Sequence, residues 1–235
     1  MTQIVLHFAP HTCARVPMIA LEEIGHPYGT ELVSFVRGDH LTARYRSLNP
    51  KGKVPLLVID GVPLSENIAI LTWLAQRFPE ARLLPQVADS YASAQIVSDL
   101  AYCSATLHPL VTRLRVPQYF CDIPEAMPRV FAMAEDTMRS NFALIDDRLS
   151  ENQWWYGDKW SIVDAYLNWV WFRVAGTDFD TSPYLHFDRH DNELAKRPSV
   201  QRTLERHQQA ADWLASQGLE VKFTGPGAFQ IKHPG

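Results

Sequence analysis

Residues 49–74 read NPKGKVPLLVIDGVPLSENIAILTWL, and the order of the pieces decides the fold. A loop closes on Val54-Pro55. A short apolar run, Leu56 to Ile59, has the composition of a buried strand. Asp60-Gly61 is a two-residue hairpin signal, because both central positions of that turn favour left-handed backbone angles. A second short strand, Val62 to Leu64, leads to Ser65. Ser65 is placed to cap a helix whose apolar positions include Ile68, Leu71, Leu74 and Phe78. A non-helical X-Pro segment beside a helix N-terminus makes a small binding surface. The unsatisfied N–H groups and the helix dipole at such a terminus favour carboxylates.

Towards the N-terminus, Val5-Leu6-His7-Phe8-Ala9-Pro10-His11-Thr12-Cys13 reads as an apolar strand, a proline, two further residues and a cysteine that opens a helix. The helix is expected over 13–24, ending near Gly25, with Pro17 tolerable close to its first turn. Residues 29–36 form a second strand candidate, and 37–50 a polar, Arg-containing loop or short helix. The order β-α-β-α-β-β-α implies a mixed four-stranded sheet with helices packed on it. Beyond residue 85 the apolar pattern turns helical, with main helices over 89–115, 125–149, 162–175 and 199–216 and no convincing strand. Ser161 and Asp164 have the spacing of a capping box with Asp in place of Glu, which serves folding and not chemistry.

The stretches 4–25 and 49–78 resemble the glutathione transferase family, most of all its bacterial, cysteine-containing (beta-class-like) members. The resemblance covers nearly the whole chain. It implies an α/β thioredoxin-like glutathione-binding domain over 1–80, a linker over 81–89 and an all-α domain over 90–217 that carries the electrophile site. A Gly/Pro-broken tail occupies 218–235. It further implies glutathione as co-substrate, a small apolar electrophile as its acceptor, and a homodimer.

Composition agrees with these expectations. The 235 residues suit two small domains, and 46% hydrophobic content supports a core in each. A formal charge of −4 leaves no basic footprint for nucleic acid. No run of 18 apolar residues is present, so no membrane span is expected. The N-terminus has no basic flank or cleavage signal of a leader peptide. Cys13, Cys103 and Cys121 are widely spaced and form no disulfide framework, which fits a reducing cytoplasm.

Cys13 is the first candidate for chemistry. A thiol at a helix N-terminus has its thiolate stabilised by the dipole and by N–H groups. The resemblance places it against the sulfur of glutathione. Ala14 stands where the family commonly has Ser, so the nearby hydroxyl is expected from Thr12. Phe8 rules out a tyrosine-based activation from this strand. The resemblance implies a cis Val54-Pro55 bond whose outward Val54 N–H and C=O pair with the cysteinyl backbone of glutathione, as an added strand would. It also implies that Lys53 meets a glutathione carboxylate. Glu66 is expected on the α-ammonium of the γ-glutamyl end, as a charge-assisted bond, with Asn67 as an amide donor beside it. The family usually has Ser where Asn67 stands. His108 matches a histidine that reaches glutathione from the second domain, although its neighbours Pro109 and Ala101 replace a Lys and an Asn of the pattern.

Other readings stay open. Cys13 would suit a thiol-transferase that attacks a glutathionyl mixed disulfide. His11-Thr12-Cys13 is distantly similar to the Ser-Ser-Cys of zeta-class glutathione-dependent isomerases. A catalytically silent regulatory protein on the same fold is the third. His7-x3-His11-x-Cys13 and His186-x3-His190 with Asp188 are incomplete as ligand sets, and no metal is expected. The aromatic residues Trp154, Trp155, Tyr156, Trp160, Trp169, Trp171 and Phe172 read as core, some of them lining the acceptor pocket that this family has between its domains.

Overall fold

The computed structural model describes residues 2–221, so the tail expected over 218–235 lies from 222 onward outside the described residues. The described chain divides into two compact units. One holds residues 2–86 and 195–221, the other residues 87–194. The last helix therefore groups with the N-terminal unit, where the sequence reading assigned 90–217 to one helical domain.

The first unit is built on a four-stranded sheet in the order β2-β1-β3-β4. The strands are β1 (Ile4–Phe8), β2 (Gly29–Leu32), β3 (Leu56–Ile59) and β4 (Val62–Ser65). β1 runs parallel to β2 and antiparallel to β3, and β3 pairs antiparallel with β4. The predicted hairpin is present. Asp60 and Gly61 have φ of 49° and 84°, the left-handed pair that joins two right-twisted strands. Pro63 is tolerated because β4 is an edge strand and needs fewer ladder donors.

Helix α1 (Arg15–Ile24) stops at Gly25, whose φ of 70° lets its N–H return to the Leu21 carbonyl at 3.0 Å. The residues Val16, Met18, Ile19, Ala20 and Leu21 are completely buried. α2 (Ala43–Leu48) sends Tyr45 into a cluster with Val33 and Leu56, flanked by Leu48, Val54 and Val58. α3 (Asn67–Arg77) buries Ile70, Leu71 and Leu74.

Ser65 does not cap α3. It is the last residue of β4, paired with Leu56, and Glu66 holds the cap position with φ 76° and ψ 126°. The sheet pairing extends one residue further than expected, so the chain must change direction within Glu66 alone.

The second unit is helical. The expected helix over 89–115 is divided into α4 (Ser90–Ala101), a π-helical segment over Tyr102–Leu107, and α5 (His108–Arg115). Pro109 supplies the reason. It has no N–H for the carbonyl four residues back, and its ring would clash there, so the helix widens ahead of it. α6 (Met127–Glu151) and α7 (Ile162–Ala175) follow.

The helix α8 (Leu185–Ala195) was not among the expected main helices. Asp146 of α6 accepts the N–H groups of both His186 and Phe187 at 2.8 Å, so a side chain distant in sequence supplies acceptors at its start. The ring of Phe142 meets Phe179, Tyr184 and Phe187 at 5.0–5.2 Å and stacks on Trp171 at 5.8 Å. Removing a buried ring of this kind costs about 3–5 kcal/mol. The capping box stands as read: Ser161 and Asp164 satisfy each other's backbone donors at the start of α7. Asp164 also accepts the Trp155 N–H at 2.7 Å and pairs with buried His190 at 2.9 Å.

Candidate functional site

Within the first unit, three segments of the predicted site meet: the turn before α1, the loop before β3 and the start of α3. Cys13 lies in the turn, two residues ahead of the first residue of α1, and is 7% exposed. The helix opens later than the sequence suggested because His11 takes a left-handed φ of 62° and the chain needs one tight turn before it can wind. For a non-glycine residue that conformation costs about 1–2 kcal/mol. The Cys13 thiol points at the Val54 carbonyl oxygen, 3.9 Å away. The Val54–Pro55 bond is cis.

The loop that carries Val54 is held by groups the sequence reading passed over. The Lys53 carbonyl accepts the Tyr45 hydroxyl and the Asn49 side-chain amide, each at 2.7 Å. Asn49 is 2% exposed, and its own carbonyl takes the Gly52 N–H at 2.9 Å. Burial pushes the Tyr45 pKa up to about 12, so the phenol keeps the proton it donates. Gly52 is required twice over. Its φ is 62°, and a Cβ there would lie 3.0 Å from the His40 carbonyl. The only sequence signal for this frame was the polar run ahead of the strand, which looks like any surface loop.

At the start of α3, buried Asn67 donates its side-chain amide to the Cys13 carbonyl at 3.2 Å. Asn67 thus locks two parts of the site together. Glu66 is exposed, and its unusual φ and ψ fall outside the regions ordinary residues prefer. Strain of this kind costs about 1–3 kcal/mol and concentrates where a ligand is held. Its carboxylate pairs with Lys51 at 2.6 Å, and Lys51 also donates to the Ser65 hydroxyl at 3.1 Å. The lysine paired at this corner is therefore Lys51; the Lys53 side chain is exposed as well.

Thr12 behaves differently from a hydroxyl aimed at a ligand. Its Oγ1 donates to the Ala9 carbonyl at 2.7 Å and accepts the Ala14 N–H at 3.4 Å. In the structure the hydroxyl braces the turn. His108 lies in the second unit. There its Nδ1 meets the Tyr166 hydroxyl at 3.2 Å, and its ring packs edge-on against Trp169 with centroids 4.5 Å apart.

The histidines considered for metal go elsewhere. The His7 ring packs on Tyr45, the backbone of His11 bonds His207, and His190 pairs with Asp164. Among the described residues no group of three or more His, Cys, Asp or Glu side chains is gathered as a metal site. Cys103 is fully buried and its thiol is pushed far up by burial and by Asp99 and Asp164, which makes it inert.

Residues 12–77 match the family model described as glutathione S-transferase, N-terminal domain. Glutathione S-transferase GstA of Escherichia coli O157:H7 is 30% identical over 206 residues, which cover 85% of this chain and 96% of the relative. Maleylacetoacetate isomerase of Rattus norvegicus is 28% identical over 177 residues, 74% of this chain and 78% of that one. Among solved structures, a glutathione transferase homologue from Sulfitobacter with bound glutathione superposes with a TM-score of 0.78 at 26% identity, covering 88% of this chain and 99% of that one. The chain belongs to the glutathione S-transferase family of enzymes, with the thioredoxin-like sheet domain and the helical region of that fold. Among the described residues no helix is long and apolar enough to cross a membrane.

Proposed function

We propose that this chain conjugates glutathione to a small apolar electrophile. The observation that carries the reading is the meeting of the Cys13 thiol with the Val54 carbonyl at 3.9 Å, tied to the start of α3 by Asn67. In this reading the backbone of Val54, ahead of Pro55, pairs with the cysteinyl residue of glutathione. The α-ammonium of the ligand takes Glu66, displacing Lys51, and its α-carboxylate faces the N–H groups at the start of α3. Cys13 sits against the ligand sulfur. Glutathione loses its thiol proton, the thiolate forms a carbon–sulfur bond with the electrophile, and the leaving group departs with its electron pair. The protein works as a cytoplasmic homodimer in detoxification.

A second reading has its own support. Relatives named maleylacetoacetate isomerase match three quarters of the chain, and a glutathione-dependent isomerase needs the same thiolate without net consumption of glutathione. Mixing the protein with glutathione and an aryl halide separates the two, because conjugation consumes both reagents and isomerisation of an enone acid consumes neither. Cys13→Ala then sorts conjugation from thiol transfer. Abolished reduction of a glutathionyl disulfide in the variant makes Cys13 the nucleophile of thiol transfer, whereas conjugation largely kept makes it only a contact to the bound sulfur of glutathione.

A further inference from the structure

The helix α9 (Pro198–Ser216) packs along α1 in the opposite direction, since Arg197 meets Glu23 while the later His207 meets His11. At one end Arg202 and Arg206 pair with Glu22, and Arg197 and Ser199 reach Glu23. Next to Arg206 in sequence, His207 meets the turn ahead of α1. It is 1% exposed, and its Nδ1 accepts the backbone N–H of His11 at 3.2 Å. Its ring also packs on Phe8 of β1, with centroids 5.3 Å apart. We propose that His207 is a positioning residue for the Thr12–Cys13 turn. The proposal rests on the reading of that turn as part of the glutathione site.

His11 is left-handed without being glycine, an uncommon conformation that contacts to its backbone help to hold. The bond from His207 is the contact that fixes its N–H. The next residue, Thr12, folds back on Ala9, and Cys13 follows with its thiol towards Val54. A change in the His11 dihedrals would swing the Cys13 thiol away from the Val54 carbonyl. The bond also dictates the state of the imidazole. Because Nδ1 accepts, the ring is neutral and carries its proton on Nε2. The charged or titratable groups facing it are Arg15 of α1 and His11 of the turn. Burial and both of these groups hold its pKa well below the ordinary value, which keeps the acceptor available.

The test uses the full chain with His207→Leu, which keeps bulk without an acceptor, and His207→Asn, whose amide oxygen can stand near the Nδ1 position. Amide exchange at His11 is read by NMR, with the amides in the middle of α1 as the internal control. The expected result is selective loss of protection at His11 in the Leu variant, about tenfold or more, and its retention in the Asn variant. Where conjugation is measurable, kcat should fall by about tenfold in the Leu variant, recover in the Asn variant, and leave the glutathione KM within about twofold. If the Leu variant does not fold, His207→Gln replaces it, since its amide reaches the Nε2 position. Equal protection and equal kcat in all variants overturn the proposal. So does a uniform loss across α1 in both variants, which would make His207 packing alone. A wild type that shows His11 protection but no glutathione binding leaves the positioning of the turn intact and removes the proposed function instead.

Discussion

The side-chain amide of Asn67 donates to the carbonyl of Cys13 at 3.2 Å, joining two segments 54 residues apart in sequence. The same carbonyl takes the Val16 N–H at 3.1 Å, so it stays satisfied without Asn67. Asn67→Ala should therefore cost near the low end for a buried hydrogen bond, about 1 kcal/mol. In a chain of this length that lowers the melting temperature by about 2–4 °C. Glutathione affinity should fall along with it, and titration calorimetry on the variant checks both effects against the melting curve.

Lys51 and Glu66 should behave as competitors. Both side chains are at least half exposed, so the pair adds little stability, about 0–1 kcal/mol. The Lys51 ammonium occupies the carboxylate on which the ligand's ammonium is proposed to sit. Lys51→Met should leave the melting temperature unchanged and tighten glutathione binding by about two- to fivefold at low salt. The gain should shrink at high ionic strength, where exposed charges are screened. Weaker binding in this variant would assign Lys51 to the ligand's carboxylate instead.

Much of this was legible in the sequence where a single local signal sufficed. Asp60-Gly61 named its own turn, Gly25 its own helix end, and Ser161 with Asp164 their own cap. The failures share a different cause. α8 takes acceptors for its first N–H groups from Asp146, about 40 residues earlier, so its start carries no local mark. Ser65 looked like a cap because nothing local says that β4 will pair through it. The pairing of Lys51 with Glu66 joins positions 15 residues apart and carries no mark in the local sequence. The grouping of α9 with the first unit reflects its packing on α1, with Arg202 and Arg206 meeting Glu22 about 180 residues away in sequence.

His108 is bonded within its own unit, to Tyr166, and packed on Trp169. His108→Ala should lower the melting temperature by several degrees, the effect of about 1–2 kcal/mol in a chain this size. Thermal melting and glutathione kinetics on one variant check this. An unchanged melting temperature with a raised glutathione KM would place His108 on the ligand and take it out of the helical packing.

The buried imidazole of His207 gives stability a pH dependence with a defined sign. Its folded pKa lies well below the ordinary 6.5, so the unfolded chain takes up a proton that the folded chain refuses. The contribution is complete above pH 6.5 and is lost as pH falls towards the folded value, by at most about 1.4 kcal/mol per pH unit. His7 shifts in the same direction, so the comparison must be between wild type and His207→Asn. Urea midpoints at pH 7.5 and 5.5 should drop less in the variant than in the wild type. A larger drop in the variant would contradict the neutral, buried state of His207.

The measurement that bears most directly on the site is calorimetric titration of the wild-type chain with glutathione, run beside Glu66→Ala. The wild type should show one site per chain, and the variant should bind more weakly by about 1–3 kcal/mol, the loss expected for a hydrogen bond to a charged group. A wild type that binds no glutathione, or a Glu66→Ala variant that binds it with unchanged affinity, would contradict the site described at Cys13, Val54 and Glu66.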